Sequence, residues 1–209
     1  AKTHLEKRGI EVDWFAADGA RDTDITLLAD AALEKLGHVD ILINNAGASW
    51  GAPAEDYPVE AWDKVFNLNM RGLFLLTQQI GKRSMIPRQY GRILNIASIA
   101  GLRGNPPGAM QTIAYNTSKG ALVNFTRALA GEWGRHGITV NALAPGFFPS
   151  KMSNVLIKTL GEEVLIGNSP LQRLGDDEDL KGATLLFASN AGKHITGQIL
   201  AVDGGYSAV

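Results

Sequence analysis

Three side chains between Ser98 and Lys119 have the types and spacing needed to move a proton to or from a substrate oxygen. Tyr115 and Lys119 are four residues apart in an apolar-periodic segment, so on a helix they lie on the same face. An ammonium group beside a phenol favours the phenolate, and we therefore expect the pKa of Tyr115 to fall from about 10 towards neutrality. Ser98 follows a predicted strand and could donate a hydrogen bond to the same oxygen. This set of groups suits the interconversion of a ketone and a secondary alcohol.

The composition excludes several other kinds of function. The formal net charge is -1, from 20 Lys+Arg and 21 Asp+Glu, so no strong field attracts nucleic acid or an anionic membrane. The chain has no Cys, which excludes disulfides and thiolate metal sites, and its four His residues lack metal-ligand spacing. No apolar run reaches the length of a membrane span, and the charged N-terminus does not suit a signal peptide. We expect a cytoplasmic protein with a small-molecule substrate and no bound metal.

The hydrophobic pattern predicts the elements that must position these groups. Short apolar strands are predicted at 12–16, 39–44, 92–97, 138–144 and 198–202. Apolar residues at helical spacing predict the main helices at 22–36, 58–82, 112–135 and 176–189, with one or two more within 151–166. Strands that alternate with helices indicate an α/β fold with a doubly wound, Rossmann-like parallel sheet. Without repeats or linkers, residues 1–209 form a single domain.

The candidate site residues fall at corresponding places in this pattern. Asp18, the Asn-Asn-Ala-Gly segment at 44–47, Ser98 and the Pro-Gly pair at 145–146 each follow a predicted strand. Ligands of such sheets lie across the carboxyl ends of the strands. The fold therefore places these residues along one edge of the sheet.

With the segment at 44–47, Ser98, the Tyr-x-x-x-Lys motif and the Pro-Gly loop, the chain resembles the short-chain dehydrogenase/reductase family from about residue 12 onwards. The resemblance implies an NAD(P)(H)-dependent oxidoreductase that acts on CH–OH groups, and an assembly that is a homodimer or homotetramer. The stretch after Pro145 is similar to that of members acting on sugar acids such as gluconate or on 3-oxoacyl groups. The substrate is therefore expected to be a sugar acid, a polyol or a 3-oxoacyl compound.

The resemblance also implies a role for each site residue. Tyr115 is the general acid or base, Ser98 orients the substrate oxygen, and Lys119 lowers the pKa of Tyr115 and holds the nicotinamide ribose. Asn69 is the fourth catalytic residue, whose carbonyl holds a kinked helix and a water that links Lys119 to solvent; a packing role is its alternative. The residues implied to bind the cofactor, besides Tyr115 and Lys119, are Asp18, Asn45, Ala46, Gly47, Pro145, Gly146 and Phe148. A solvated turn is the alternative for Asp18.

Two departures from the family pattern limit these expectations. The 209 residues contain no Thr-Gly-x-x-x-Gly-x-Gly turn, which binds the cofactor pyrophosphate in the family, so the choice between NAD and NADP cannot be read. We therefore expect further residues upstream of Ala1. The connection from Ser98 to Tyr115 is also longer than usual, which should reshape the substrate pocket.

The absent turn leads to a specific structural expectation. In the family order, the strands at 12–16 and 39–44 would stand on either side of an empty slot, so we expect that these 209 residues alone do not keep the family arrangement or hold the cofactor. Direct pairing of the two strands would mark a rearranged chain. The alternative function is a non-catalytic fragment or scaffold of the family that has lost cofactor binding. Extended epimerases share Tyr-x-x-x-Lys, but about ninety residues after Lys119 are too few for their separate substrate domain.

Overall fold

A parallel sheet of four strands forms the centre of the computed structural model, which describes residues 2–105, 110–150, 153–154, 157 and 161–209. The strands lie in chain order and are β1 (Ile41–Asn44), β2 (Gly91–Ile96), β3 (Ile138–Pro145) and β4 (Ile199–Val202). The carboxyl ends of β1, β2 and β3 lie side by side, since Asn44 is opposite Asn95 and Asn95 is opposite Ala142. Four of the five predicted strands are therefore confirmed, and their ends share one edge.

The helices cover both faces of the sheet. They are α1 (Lys2–Glu6), α2 (Asp22–Leu36), α3 (Val59–Phe66), α4 (Leu73–Ile80), α5 (Ile86–Arg88), α6 (Ile113–Trp133), α7 (Glu162–Gly167) and α8 (Lys181–Ala188). The long helix predicted at 58–82 is confirmed by α3, a π-helical turn at Asn67–Gly72 and α4. It extends further than predicted, through a second π-helical turn at Gly81–Met85 into α5. Part of the predicted helical region at 151–166 lies outside the described residues.

Alternation along the strands decides which helices cover which face. Ile93 and Val140 are buried on the side of α2, α4 and α6, where Ile80 and Leu129 complete the cluster. Leu94 and Leu143 are buried on the opposite side, against Phe187 of α8. The doubly wound arrangement is thus the direct result of strands that are apolar on both faces.

The prediction of a strand at 12–16 is wrong. Residues 10–18 have no regular secondary structure, and Trp14 and Phe15 are 71% and 49% exposed. A strand needs a partner for its ladder, and within the described chain β1 pairs with β2 and with no segment on its other side. The direct pairing of residues 12–16 with β1, which would have marked a rearranged chain, does not occur among the described backbone hydrogen bonds.

Gly72 allows the turn that precedes α2 to approach the first π-helical turn closely. A Cβ at Gly72 would overlap the carbonyl oxygen of Gly19, and a Cβ at Gly19 would lie 2.7 Å from the Leu68 side chain. The backbone of Gly19 therefore rests on the helix at a position that admits no side chain.

Gly72→Ala should destabilise the protein by about 1–3 kcal/mol, the range for overpacking a site that cannot expand freely. Gly131→Ala is the matched control, because a Cβ there meets no atom within 4 Å on α6 and should stabilise by about 0.5–1 kcal/mol through helix propensity. Urea unfolding of the two variants measures both effects. Equal stability of the two variants would contradict the close approach of residue 19.

Candidate active site

Ser98, Tyr115 and Lys119 come together where β2 ends against the first turns of α6. Ser98 is the N-cap of a 3-10 turn, Ile99–Gly101, and its Oγ accepts a hydrogen bond of 3.2 Å from the backbone N–H of Ala100. This turn is packed tightly on α6, because a Cβ at Gly101 would be 2.5 Å from the carbonyl carbon of Lys119. The three residues predicted from the sequence therefore form one cluster.

Lys119 is a buried cation whose hydrogen-bonding capacity is mostly unused. Its side chain is 4% exposed, and Nζ donates to the carbonyl oxygen of Ile96 at 2.6 Å. Burial lowers the pKa of Lys119 from 10.5 to about 8. An ammonium group has three N–H donors, and no second acceptor contacts Nζ in the described part of the chain. The remaining donors suit acceptor oxygens of a ligand.

The expected fall in the pKa of Tyr115 is not what the structure shows. Burial raises the pKa of this phenol, and a hydrogen bond with Ser98 acts in the opposite direction. Lys119 Nζ lies 5.6 Å from the centre of the Tyr115 ring and donates its hydrogen bond to the Ile96 carbonyl oxygen. Desolvation therefore outweighs the hydrogen bond with Ser98.

Asn69 clamps the segment after β1 against α6. Its Oδ1 accepts from the N–H of Ala48 at 2.8 Å, and its Nδ2 donates to the Ala48 carbonyl and to Ser118 Oγ, both at 2.9 Å. Asn69 is 1% exposed and lies in the π-helical turn at Asn67–Gly72. These bonds are those of the packing alternative, and a catalytic role for Asn69 stays a prediction.

Ser118 is a residue that the sequence analysis missed. It is fully buried, accepts from Asn69 and donates from Oγ to the Tyr115 carbonyl oxygen at 2.8 Å. Its position one residue before Lys119, on the inner face of α6, was the only available signal. Ser118 connects the Asn69 clamp to the turn that carries the tyrosine.

The segment Asn45, Ala46 and Gly47 passes directly beside the buried lysine. A Cβ at Gly47 would be 3.5 Å from Asn69 Oδ1 and 3.7 Å from Lys119 Nζ, and would therefore occupy the space in front of the ammonium group. A pocket of about 160 Å³ continues along the same edge. Its lining includes Ala17, Gly19, Asn44, Asn45, Ala46 and Leu68.

Asp18 lies next to this pocket, in an exposed turn. A solvated turn was the alternative to cofactor binding that the sequence left open for this residue. Its Oδ1 accepts from the N–H of Ala20 at 3.0 Å, and its own N–H donates to Asp24 at 3.0 Å. The residue is exposed. Contact of Asp18 with a cofactor stays a prediction.

The Pro145-Gly146 loop closes the other side of the site. Gly146 donates its N–H to Val202 at 3.0 Å, and a Cβ on it would be 2.7 Å from the Cβ of Asp203. Phe148, the next residue but one, packs its ring on Gly175. Because β3 lies beside β2, the loop follows a strand adjacent to the one that carries Ser98. No cluster of His, Asp or Glu side chains suited to a metal ion occurs among the described residues.

Comparison with known proteins decides the family. A family model described as enoyl-(acyl carrier protein) reductase matches residues 2–207. Gluconate 5-dehydrogenase of Gluconobacter oxydans is 37% identical, over 98% of this chain and 78% of that protein. The rhamnolipids biosynthesis 3-oxoacyl-(acyl-carrier-protein) reductase of Pseudomonas aeruginosa is 37% identical, over 91% of this chain and 75% of that protein. The crystal structure of a gluconate 5-dehydrogenase from Burkholderia cenocepacia with NADP and tartrate has a TM-score of 0.92 at 30% identity, over 99% of this chain and 80% of that one.

The chain belongs to the short-chain dehydrogenase/reductase family. This confirms the predicted Rossmann-like fold and the class of NAD(P)-dependent oxidoreductases that act on CH–OH donors. It corrects the expectation that these residues would not keep the family arrangement, since 99% of the chain superposes on a family structure. That expectation assumed buried, unpaired backbone on β1. In the structure, Ile41 and Ile43 of β1 are 45% and 44% exposed.

The residues present fit the nicotinamide end of such a cofactor. Lys119 offers unused ammonium donors, and the missing side chain of Gly47 leaves room in front of them. The loops at 45–47 and 145–148 follow β1 and β3, the two strands on either side of β2. No helix of the described residues is long and apolar enough to span a membrane.

The lowered pKa of Lys119 predicts a specific dependence of stability on pH. Between about pH 8 and pH 10.5, Lys119 binds more protons in the unfolded chain than in the folded protein. The free energy of unfolding therefore increases as the pH rises through that window. The full gain is about 3 kcal/mol, at about 1.4 kcal/mol for each unit of pKa. Lys119→Met should therefore be most stable relative to the wild type near pH 7 and lose this advantage by pH 10.

Urea unfolding of the wild type and the variant at four pH values tests this dependence. Lys193→Met, which replaces an exposed lysine, is the control and should show no such trend. A stability difference for Lys119→Met that is constant with pH would show that the ammonium group is not desolvated.

Proposed function

We propose that this protein is an NAD(P)(H)-dependent oxidoreductase that interconverts a ketone and a secondary alcohol by hydride transfer. The observation that supports it best is the buried Lys119 ammonium group, with unused donors beside Gly47 and one helical turn from Tyr115. A buried cation that keeps donors free is costly unless a ligand uses them. Ribose hydroxyls of a nicotinamide cofactor are suitable acceptors.

Each residue of the cluster has a part in the proposed reaction. Tyr115 gives its phenol proton to the carbonyl oxygen during reduction and takes it back during oxidation. Ser98 donates a hydrogen bond to the same oxygen and stabilises the charge that develops there. Asn69 holds the segment at 45–48 and the helix of Tyr115 in register. A nicotinamide cofactor held by these residues would supply or accept the hydride.

The proposed cofactor contacts are those that the resemblance to the family implies. We assign Asn45, Ala46, Gly47 and Lys119 to the ribose, and Pro145, Gly146 and Phe148 to the nicotinamide. The Burkholderia cenocepacia relative binds NADP, which supports the cofactor class without deciding between NAD and NADP for this chain.

Two substrate classes are supported by the relatives. A sugar acid or polyol is favoured by the Gluconobacter oxydans gluconate 5-dehydrogenase, and a 3-oxoacyl group by the Pseudomonas aeruginosa reductase. Assays with D-gluconate and NAD⁺ or NADP⁺, and with acetoacetyl-CoA and NADH or NADPH, separate them.

A non-catalytic scaffold is the second candidate function. It is the alternative that the sequence left open. Titration with NADP⁺ and NADH by calorimetry distinguishes the candidates, because a scaffold of this kind would bind neither.

Tyr115→Phe keeps the ring and removes the proton donor, and should lower kcat by at least about 100-fold. Because burial raises the pKa of this phenol, the rate of alcohol oxidation should still be rising with pH in the alkaline range. Steady-state kinetics from pH 6 to 10 measure both effects. Tyr90→Phe, at the opposite end of β2, is the control. Retention of more than half the activity in Tyr115→Phe would exclude the assigned role.

We also propose that the protein is a homodimer or homotetramer. Phe74 of α4 is 44% exposed and meets Phe125 of α6 edge to face, at 6.3 Å between ring centres. On the other side of the sheet, Leu185 and Leu200 are 66% and 38% exposed. Helices that cover one sheet need a single apolar stripe, so the additional apolar surface suits contacts between subunits.

Light scattering at micromolar concentration should give the mass of a dimer or tetramer. Phe74→Glu places a charge in the proposed contact of α4 and α6 and should shift the mass towards the monomer. Leu27→Glu changes a leucine that is 56% exposed on α2 and should leave the mass unchanged. A monomeric wild type would refute the proposal.

A further inference from the structure

Three polar residues around the start of α6 form a closed group that the proposed reaction does not use. Asn105 Nδ2 donates to Thr112 Oγ1 at 3.3 Å, and Asn116 Nδ2 donates to Asn105 Oδ1 at 3.1 Å. Thr112 Oγ1 donates to Asn116 Oδ1 at 2.8 Å. We call Asn105, Thr112 and Asn116 the amide clasp.

The amide clasp closes around the turn that contains Tyr115. Thr112 is the N-cap of α6 and Asn116 lies one turn later, so their side-chain bond spans the tyrosine, as does the 3.0 Å bond from the Asn116 N–H to the Thr112 carbonyl. A threonine at an N-cap ordinarily accepts from a backbone N–H of the first turn. Thr112 makes no such cap bond. The first turn of α6 therefore relies on the amide clasp in place of a conventional cap.

The rest of α6 is held by different contacts. Ser118 is bonded to Asn69, and Lys119 to Ile96, both on the inner face of the helix one turn further on. These contacts fix the body of the helix. Through the bond from Ser118 to the Tyr115 carbonyl they reach the tyrosine from its C-terminal side. The N-terminal side of this turn, where helices fray, has the amide clasp as its side-chain anchor.

Asn105 belongs to the connection between β2 and α6, which is long and rich in glycine and proline. A longer connection constrains its ends less. Asn105 compensates for this by joining the connection to both ends of the tyrosine turn, and it also donates to the carbonyl oxygen of Met110.

We propose that Asn105 is a positioning residue, which through Thr112 and Asn116 fixes the Tyr115 hydroxyl relative to Ser98. The inference rests on the proposed function of Tyr115. Asn105 acts through its two partners and does not touch the reacting atoms. All three members of the amide clasp are neutral amides or a hydroxyl, so the clasp itself does not titrate.

Hydrogen exchange tests the amide clasp without reference to activity. Asn105→Ala should speed exchange of the Asn116 amide by about tenfold, since its bond to Thr112 would open more often. Thr117→Ala is the matched control, because Thr117 Oγ1 bonds to the Ile113 carbonyl on the exposed side of the same turn. Unchanged exchange of the Asn116 amide in Asn105→Ala would overturn the clasp, even if the wild type turned over no substrate.

Kinetics test the positioning role. Asn105→Ala and Asn116→Ala should each lower kcat about tenfold, and the double variant should lose little more, because the two side chains act as one unit. The KM for NADP⁺ or NAD⁺ should stay within about twofold, as Lys119 is held separately. The apparent pKa for D-gluconate or acetoacetyl-CoA turnover should rise, since the hydrogen bond with Ser98 that lowers the pKa of Tyr115 is weakened.

Each outcome has a distinct meaning. Faster exchange with unchanged kcat would overturn the positioning role while leaving the clasp in place. Additive losses, or a pH profile that does not move, would also overturn it. A wild type with no NAD(P)-dependent turnover would refute the proposed function. Hydrogen exchange of the Asn116 amide would then be the test of whether the amide clasp stabilises the first turn of α6.

Discussion

Lys119 is the group on which the arrangement of this site depends. Removing an ammonium group from water is expensive, and here only the Ile96 carbonyl compensates it among the described residues. That carbonyl is available because β2 ends at Ile96 and the chain then turns away, so the cation sits where the ladder stops. The absence of a side chain at Gly47 keeps the opposite side open. The charge, the strand end and the glycine therefore form one unit.

A buried polar network supplies the rigidity that this cation requires. Asn44 Nδ2 donates to Thr77 and Asn95, at 3.0 and 2.9 Å, and Asn95 Nδ2 donates to Thr126 at 2.9 Å. The network joins β1 and β2 to α4 and α6 directly beneath the site. Because Nδ2 of each asparagine is satisfied, the network fixes the strand ends without leaving these donors unpaired.

The strands at 39–44, 92–97, 138–144 and 198–202 could be predicted because their continuous apolar runs carry the pattern of a buried parallel sheet. The segment at 12–16 has a similar composition, but composition does not reveal whether a neighbouring strand is available. The cluster of Ser98, Tyr115 and Lys119 could be predicted from spacing. The pKa of Tyr115 could not, because it depends on burial and on the hydrogen bond with Ser98. Ser118 was missed because a small serine inside a helix carries no signal of its own.

The π-helical turn at Asn67–Gly72 explains how a long helix accommodates Asn and Gly in its interior. Asn and Gly both disfavour helix interiors. In this turn, however, Asn69 points to Ala48 and Ser118, while Gly72 receives the backbone of Gly19. A regular α-helix has no extra residue per turn with which to adjust both directions, whereas a π-helical turn does. The pocket beside Asp18 and the helix of Tyr115 are therefore connected through this π-helical turn. A change in the geometry of the turn would shift residues at both places.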